Sequence, residues 1–196
     1  MKIMRQPLTA IAAAALLALA ACGSEPAEEA PETAVPTAEV DADAVRLNGE
    51  GLTVGGESFL FNAGRNEVET ALMRLLGEPA RSNTNTECDA GPVDFVDYRG
   101  GLTLHFNDGA LIGWNWHLPY EGDPPLEQDV AVAGDVALGQ SLASIEGREG
   151  FELLEESTLG QEFRLGGDFG GFIEAGEVAT LFAGTQCFIR GEASGE

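Results

Sequence analysis

Gly64-Arg65-Asn66-Glu67-Val68-Glu69-Thr70-Ala71-Leu72-Met73-Arg74-Leu75-Leu76-Gly77-Glu78-Pro79 is the stretch on which the fold turns. Val68, Ala71, Leu72, Leu75 and Leu76 recur at i, i+3, i+4, i+7 and i+8, which gives a helix from about Glu67 to Leu76 with one apolar stripe. Asn66 is placed to cap it, with Glu69 three residues on as the capping-box partner. Gly77 suits the position after the last turn, and Pro79 prevents continuation.

Strands follow. Val93–Arg99 reads as one, and Leu102–Phe106 and Ala110–His117 form a hairpin about Asn107-Asp108-Gly109. Setting Phe106 opposite Ala110 puts Leu102, Leu104, Phe106, Ile112, Trp114 and Trp116 on one face, the face expected to pack on the helix. Upstream, Leu52–Val54 and Ser58–Phe61 flank Gly55-Gly56-Glu57 as another hairpin. Beyond the proline-rich crossover Pro119–Pro125 the order restarts. Ser141 caps a short turn holding Leu142 and Ile145, closed by Gly147. Strands are expected at Phe151–Glu156, Glu162–Leu165, Gly171–Glu174, Val178–Ala183 and Gln186–Arg190. The expectation is an α+β fold: two tandem helix-plus-antiparallel-sheet units in one domain over 46–190, the first about 46–120 and the second about 131–190.

The N-terminus is of another kind. Lys2 and Arg5 are the only basic residues before Arg46, and a largely apolar run from Leu8 to Ala21 follows. That is the pattern of a signal peptide over 1–21, too short for a bilayer core that needs about 20 apolar residues. Leu19-Ala20-Ala21-Cys22-Gly23 resembles the lipobox of bacterial lipoproteins, in which the cysteine sulfur takes a diacylglyceryl group and becomes the first residue. The resemblance implies lipidation at Cys22, and Gly23 in place of Asp implies an outer-membrane anchor facing the periplasm. Residues 22–45 carry seven acids and three prolines with no basic or aromatic residue. Such a segment reads as a disordered tether, with a coil reach of roughly 27 Å.

Once 1–21 are removed, the 33 acids face eight arginines, a formal charge of −25. Nucleic acid needs basic clusters and is not an expected partner. No lysine remains, which removes Schiff-base chemistry and the phosphate-loop lysine. Of the three cysteines, Cys22 is assigned to lipid. Cys88 and Cys187 are then an even pair in a compartment that permits a disulfide; two free thiols or a redox role are the alternatives, and no C-x-x-C supports the latter. Closing 99 residues would stabilise by about 4–5 kcal/mol on the chain-entropy account.

Candidate chemistry is sparse. In the hairpin register above, His105 faces Leu111, and His117 lies six residues further on, roughly 20 Å away. The two then share no ion, and both read as solvent-facing or strand-end residues. No metal site, cofactor or catalytic set is expected: G-x-S-x-G is absent, Asn107-Asp108-Gly109 is turn chemistry, and so many acids make chance carboxylate pairs uninformative. Trp114 and Trp116 would anchor a protein partner if their face were exposed, although their alternation with apolar neighbours favours a core.

The run Gly64…Val68…Leu76-Gly77-Glu78-Pro79, then Tyr98, Leu102…Phe106-Asn107-Asp108-Gly109-Ala110-Leu111, resembles the SmpA/OmlA class of outer-membrane lipoproteins. It equally resembles the β-lactamase inhibitor protein family, whose fold is two tandem helix-plus-sheet units. Glu87-Cys88 early and Cys187…Arg190 late also resemble a bacterial lipoprotein family that keeps those residues. The match covers about 50 residues well and consists of structural punctuation, so it implies fold more than activity. The expected function is a non-enzymatic protein-binding or scaffold module of the cell envelope. An inhibitor-like module gripping an envelope enzyme, and a secreted hydrolase using carboxylates, are the alternatives.

Overall fold

The computed structural model describes residues 44–119, 129–134, 136–166 and 169–190. The signal peptide, Cys22 and all but the last two residues of the expected tether lie outside them, as do residues 120–125 of the proline-rich crossover and 126–128 after it. The last two, Ala44 and Val45, belong instead to a strand and are buried.

Chain order is β1 (Ala44–Asn48), β2 (Gly51–Val54), β3 (Glu57–Leu60), α1 (Arg65–Leu76), β4 (Arg81–Asn85), β5 (Val93–Asp97), β6 (Leu102–Asn107), β7 (Ala110–His117), β8 (Asp129–Val132), α2 (Leu142–Ile145), β9 (Phe151–Leu154), β10 (Gln161–Leu165), β11 (Phe169–Glu174) and β12 (Glu177–Gly184). The fold is α+β and mostly strand. A four-stranded sheet runs β3-β2-β1-β8, and an eight-stranded sheet runs β4-β5-β6-β7-β12-β11-β10-β9. Each helix is followed by a four-stranded antiparallel meander, and the two meanders join through antiparallel β7 and β12.

The core forms where the helices and the small sheet pack on one face of the large sheet. Val45, Leu47, Leu52 and Val54 come from the small sheet, and Val68, Ala71 and Leu72 from α1. The large sheet supplies Leu104, Phe106, Trp114, Phe163 and Leu181, and α2 supplies Ile145. Burying each of the larger side chains contributes about 1.5–3 kcal/mol. Trp114 ties the two sheets together, its indole N–H donating to the Asn48 carbonyl at 2.9 Å.

The start of α1 differs from expectation. Asn66 lies inside the helix; Gly64 precedes its first residue, and no side chain caps it. The Arg65 amide instead donates to Gly109 in the β6–β7 turn at 2.8 Å. A tertiary partner therefore satisfies an amide that every helix start leaves unpaired. Glu69 is turned outward to accept from the Arg65 guanidinium at 2.9 Å.

The hairpin is also tighter than expected. Asn107 pairs with Ala110 across Asp108-Gly109, both at positive φ (48° and 77°), the geometry of a two-residue primed turn. A bulge then intervenes between His105 and Phe106. Leu111 therefore takes the core position expected of Ile112, while Leu104 still meets Trp114 and Leu102 meets Trp116. The bulge also moves His105 opposite Gly113 rather than Leu111.

Ser141 precedes α2, but its side chain makes no cap; its carbonyl accepts from the Ser144 hydroxyl. Residues 185–190 are not a strand. They form an irregular strap, and side chains rather than a ladder hold it.

Candidate functional site

Period-two alternation sends every second residue of the large sheet away from the core. On the first meander these are Arg81 and Asn83 of β4, Phe95 and Asp97 of β5, Thr103 and His105 of β6, and Asn115 and His117 of β7. On the second they are Phe182 of β12, Phe172 of β11, and Glu162 and Arg164 of β10. The strap crosses this outer face. It passes so close to β7 that a Cβ on Gly113 would sit 2.4 Å from the Thr185 carbonyl oxygen. No side chain fits there.

Five of the strap's six residues supply its fastenings. The Thr185 amide donates to Ile112 at 2.7 Å. The Thr185 carbonyl accepts from His105 Nδ1 at 2.9 Å. Gln186 Nε2 donates to the carbonyls of Trp114 and Ala183 at 3.1 and 2.8 Å. Cys187 forms the disulfide with Cys88, Cα to Cα 5.3 Å. Phe188 meets Phe172 and Phe182 edge-on, with centroids 5.3 and 5.1 Å apart. Arg190 grips Glu162 with two hydrogen bonds of 2.7 Å.

Two of these fastenings titrate. His105 is 3% exposed, and burial lowers its pKa below the ordinary 6.5, opposed by its bonds to Thr185 and Asn115 and by the charge of Asp97. The neutral ring keeps its proton on Nδ1 for Thr185, so Nε2 is an acceptor and calls for the Asn115 amide N–H. The Asn115 oxygen, recorded 3.0 Å from Nε2, suits the protonated ring; amide orientation follows the hydrogen-bond network. Glu162 is the buried carboxylate among the described residues. Its bonds from Arg190 hold its pKa below the usual carboxylate range, burial opposes them, and the Ser157 hydroxyl at 2.6 Å assists.

The strap stands between two clefts, both walled by Gln186 and Phe188. The first has a volume of about 760 Å³ and is lined by Phe95, Arg99, Gly101, Asn115, both histidines and Cys187, among others. The second, about 680 Å³, opens over Glu162, Arg164, Phe182 and Ile112.

The residues singled out from sequence are distributed unevenly. Cys88 and Cys187 are bonded to each other. Trp114 is fully buried, and Trp116 packs against the core with its N–H on the Gly100 carbonyl at 3.0 Å. Neither lies on the outer face. His105 and His117 are closer than expected: the bulge sets His105 opposite Gly113, four residue steps from His117, roughly 13 Å, and both rings line the first cleft. His105 is buried there, not solvent-facing. Among the described residues no group of His, Cys, Asp and Glu is arranged to hold a metal ion, and no helix is long and apolar enough to cross a membrane.

Sequence reading missed Phe95, Arg99, Glu162 and the strap as a unit. The available signal was parity: once the core face of a strand is known, its alternate residues are on the other side. No protein-family model, no curated protein and no solved structure matches the chain.

Proposed function

We propose that this chain is an exported lipoprotein, lipidated at Cys22 and held in the outer membrane facing the periplasm, whose domain is a non-enzymatic binding module. The strapped outer face of the eight-stranded sheet is its contact surface. One observation carries the reading: the strap is locked across that face by a disulfide, a bidentate ion pair and an aromatic cluster, yet it leaves a cleft on either side. Fixing six residues in place costs backbone entropy of about 1–2 kcal/mol each, and a rigid surface loses less on binding than one ordered by its partner.

A photo-crosslinking residue at position 95, in cells with intact envelopes, should give a discrete adduct that one at Leu60, exposed on β3, does not. Recovery of no adduct from position 95 or 117 would sink the reading. Cys22→Ser should leave the protein in the soluble envelope fraction; if it stays with the membrane, the anchor assignment fails.

A second reading, an inhibitor-like module, is favoured by half-buried Phe95, Phe182 and Phe188 on the outer face. It takes the helix-plus-meander units as degenerate copies, which the mirrored strand order β4-β5-β6-β7-β12-β11-β10-β9 supports. Its test is the activity of the crosslinked partner, which should fall when the purified protein is added in excess.

A further inference from the structure

We propose that the first cleft, walled by Phe95, Arg99, Gly101, Asn115, His117 and Phe188, is a binding site for a carboxylate joined to a flat apolar body. This rests on reading the strapped face as a binding surface, and adds the chemistry of what enters it. At about 760 Å³ the cleft falls in the range of small-molecule sites.

Charge supplies the chemistry. The chain carries 33 acids against 10 basic residues, but the cleft reverses the ratio. Arg81 and Arg99 line it, against Asp97 as its carboxylate. Asp97 is already engaged: Arg81 reaches one oxygen at 2.6 and 2.7 Å and the Thr103 hydroxyl the other at 2.8 Å. Arg99 is exposed and has no ion-pair partner among the described residues. Its planar fork matches the two oxygens of a carboxylate.

Among polar neighbours such as Asn83, Asn115 and Gln186, the flat apolar surfaces of the wall are Phe95 and Phe188. Phe95 stands edge-on to His105 with centroids 4.7 Å apart, and Phe188 lines the same cleft, held by Phe172 and Phe182. One unpaired guanidinium suits a single negative charge better than a phosphate dianion, which ordinarily meets several cations or a glycine-led helix start. A polyanionic chain would be repelled by so acidic a protein. The carboxylate could belong to a free aromatic acid or to the C-terminus of a peptide.

The mature full-length chain would be titrated with benzoate, with benzamide, and with a tetrapeptide ending in Phe, its C-terminus free or amidated, and followed by ¹H–¹⁵N NMR. Saturable shifts at Gly101 and Arg99 Nε are expected with benzoate, with the free-acid peptide or with both, and the pattern identifies the source. Each amide counterpart should bind about 10-fold more weakly, as should the carboxylate to Arg99→Gln, the loss expected for a charge-assisted pair. Arg74→Gln on α1 should change nothing. Absence of saturable shifts with both carboxylates would overturn the proposal, as would amides binding equally well or an unchanged affinity in Arg99→Gln. Crosslinking from position 95 is read separately, so a failed titration with a retained adduct removes the carboxylate site and leaves the docking face.

Discussion

The two meanders of the large sheet share a strand pattern and differ in what lies on their outer faces. Over β9–β12 the strap is held down by its own side chains, with the second cleft beside them. Phe188 completes a three-ring cluster with Phe172 and Phe182, which also meet each other at 5.4 Å, and Arg190 neutralises Glu162. Over β4–β7 the strap is tied by the disulfide and by His105, but brings no side chain of its own to fill the space between Phe95 and the Tyr98–Gly101 turn. The second meander spends its outer face on holding the strap. The first is left with surface to offer.

Disruption should cost most in the core that the two halves share. Trp114→Ala should cost about 4 kcal/mol, the usual range for removing a buried aromatic, in a single urea transition. Two transitions would show that the meanders are separate folding units. Replacing Cys88 and Cys187 together by Ser should cost about 3 kcal/mol, somewhat less than the chain-entropy limit. Amide exchange should then accelerate at Thr185, whose N–H bonds to Ile112, while the Phe188 ring keeps its contacts to Phe172 and Phe182 in aromatic NMR spectra. Loss of those ring contacts would mean that the disulfide alone holds the strap.

Acid should loosen the strap in two stages, one on each half. His105 has a folded pKa below its unfolded 6.5, so the unfolded state binds the proton first. The stability held by the neutral ring is full above pH 6.5 and is lost as pH falls towards the folded value. Glu162 likewise has a lowered pKa, so its contribution is full above the usual carboxylate range and is lost only at lower pH. His105→Gln should remove the upper stage and Glu162→Gln the lower. The latter should cost about 1–2 kcal/mol at neutral pH, a modest figure because Arg190 is 48% exposed and screened by solvent.

The smallest effect belongs to Tyr98. Its hydroxyl is buried without a hydrogen-bond partner among the described residues, and burial raises its pKa, with the charge of Glu69 adding to it. Tyr98→Phe should stabilise by about 1 kcal/mol in thermal melts, since an unpaired buried hydroxyl is removed at nearly constant shape. A loss instead would reveal a partner for that hydroxyl.

The elements legible in sequence were those whose burial is written in their own residues. The stripe Val68, Ala71, Leu72 and Leu76 is the buried side of α1, and Leu102, Leu104, Trp114 and Trp116 share a face as their alternation requires. Three strands were not legible, for different reasons. β4 is Arg-Ser-Asn-Thr-Asn, an edge strand with four of five residues exposed and no apolar alternation to betray it. β1 begins within acidic, alanine-rich sequence, and β8 gains its place from parallel pairing with β1, a partner distant in the chain. The cleft was illegible because it depends on a one-residue bulge and on a strap that no backbone periodicity encodes. The disulfide was legible through cysteine arithmetic, but not its role as a wall.

The placement of β1 also bears on force. It begins the described chain and lies between β2 on one side and β8 on the other, with Val45 and Leu47 beneath it in the core. A pull entering at Ala44 therefore meets an antiparallel and a parallel ladder at once, not the free margin of a sheet. Between a surface that moves and a partner that does not, the domain would carry load through two rows of hydrogen bonds before its first strand came away.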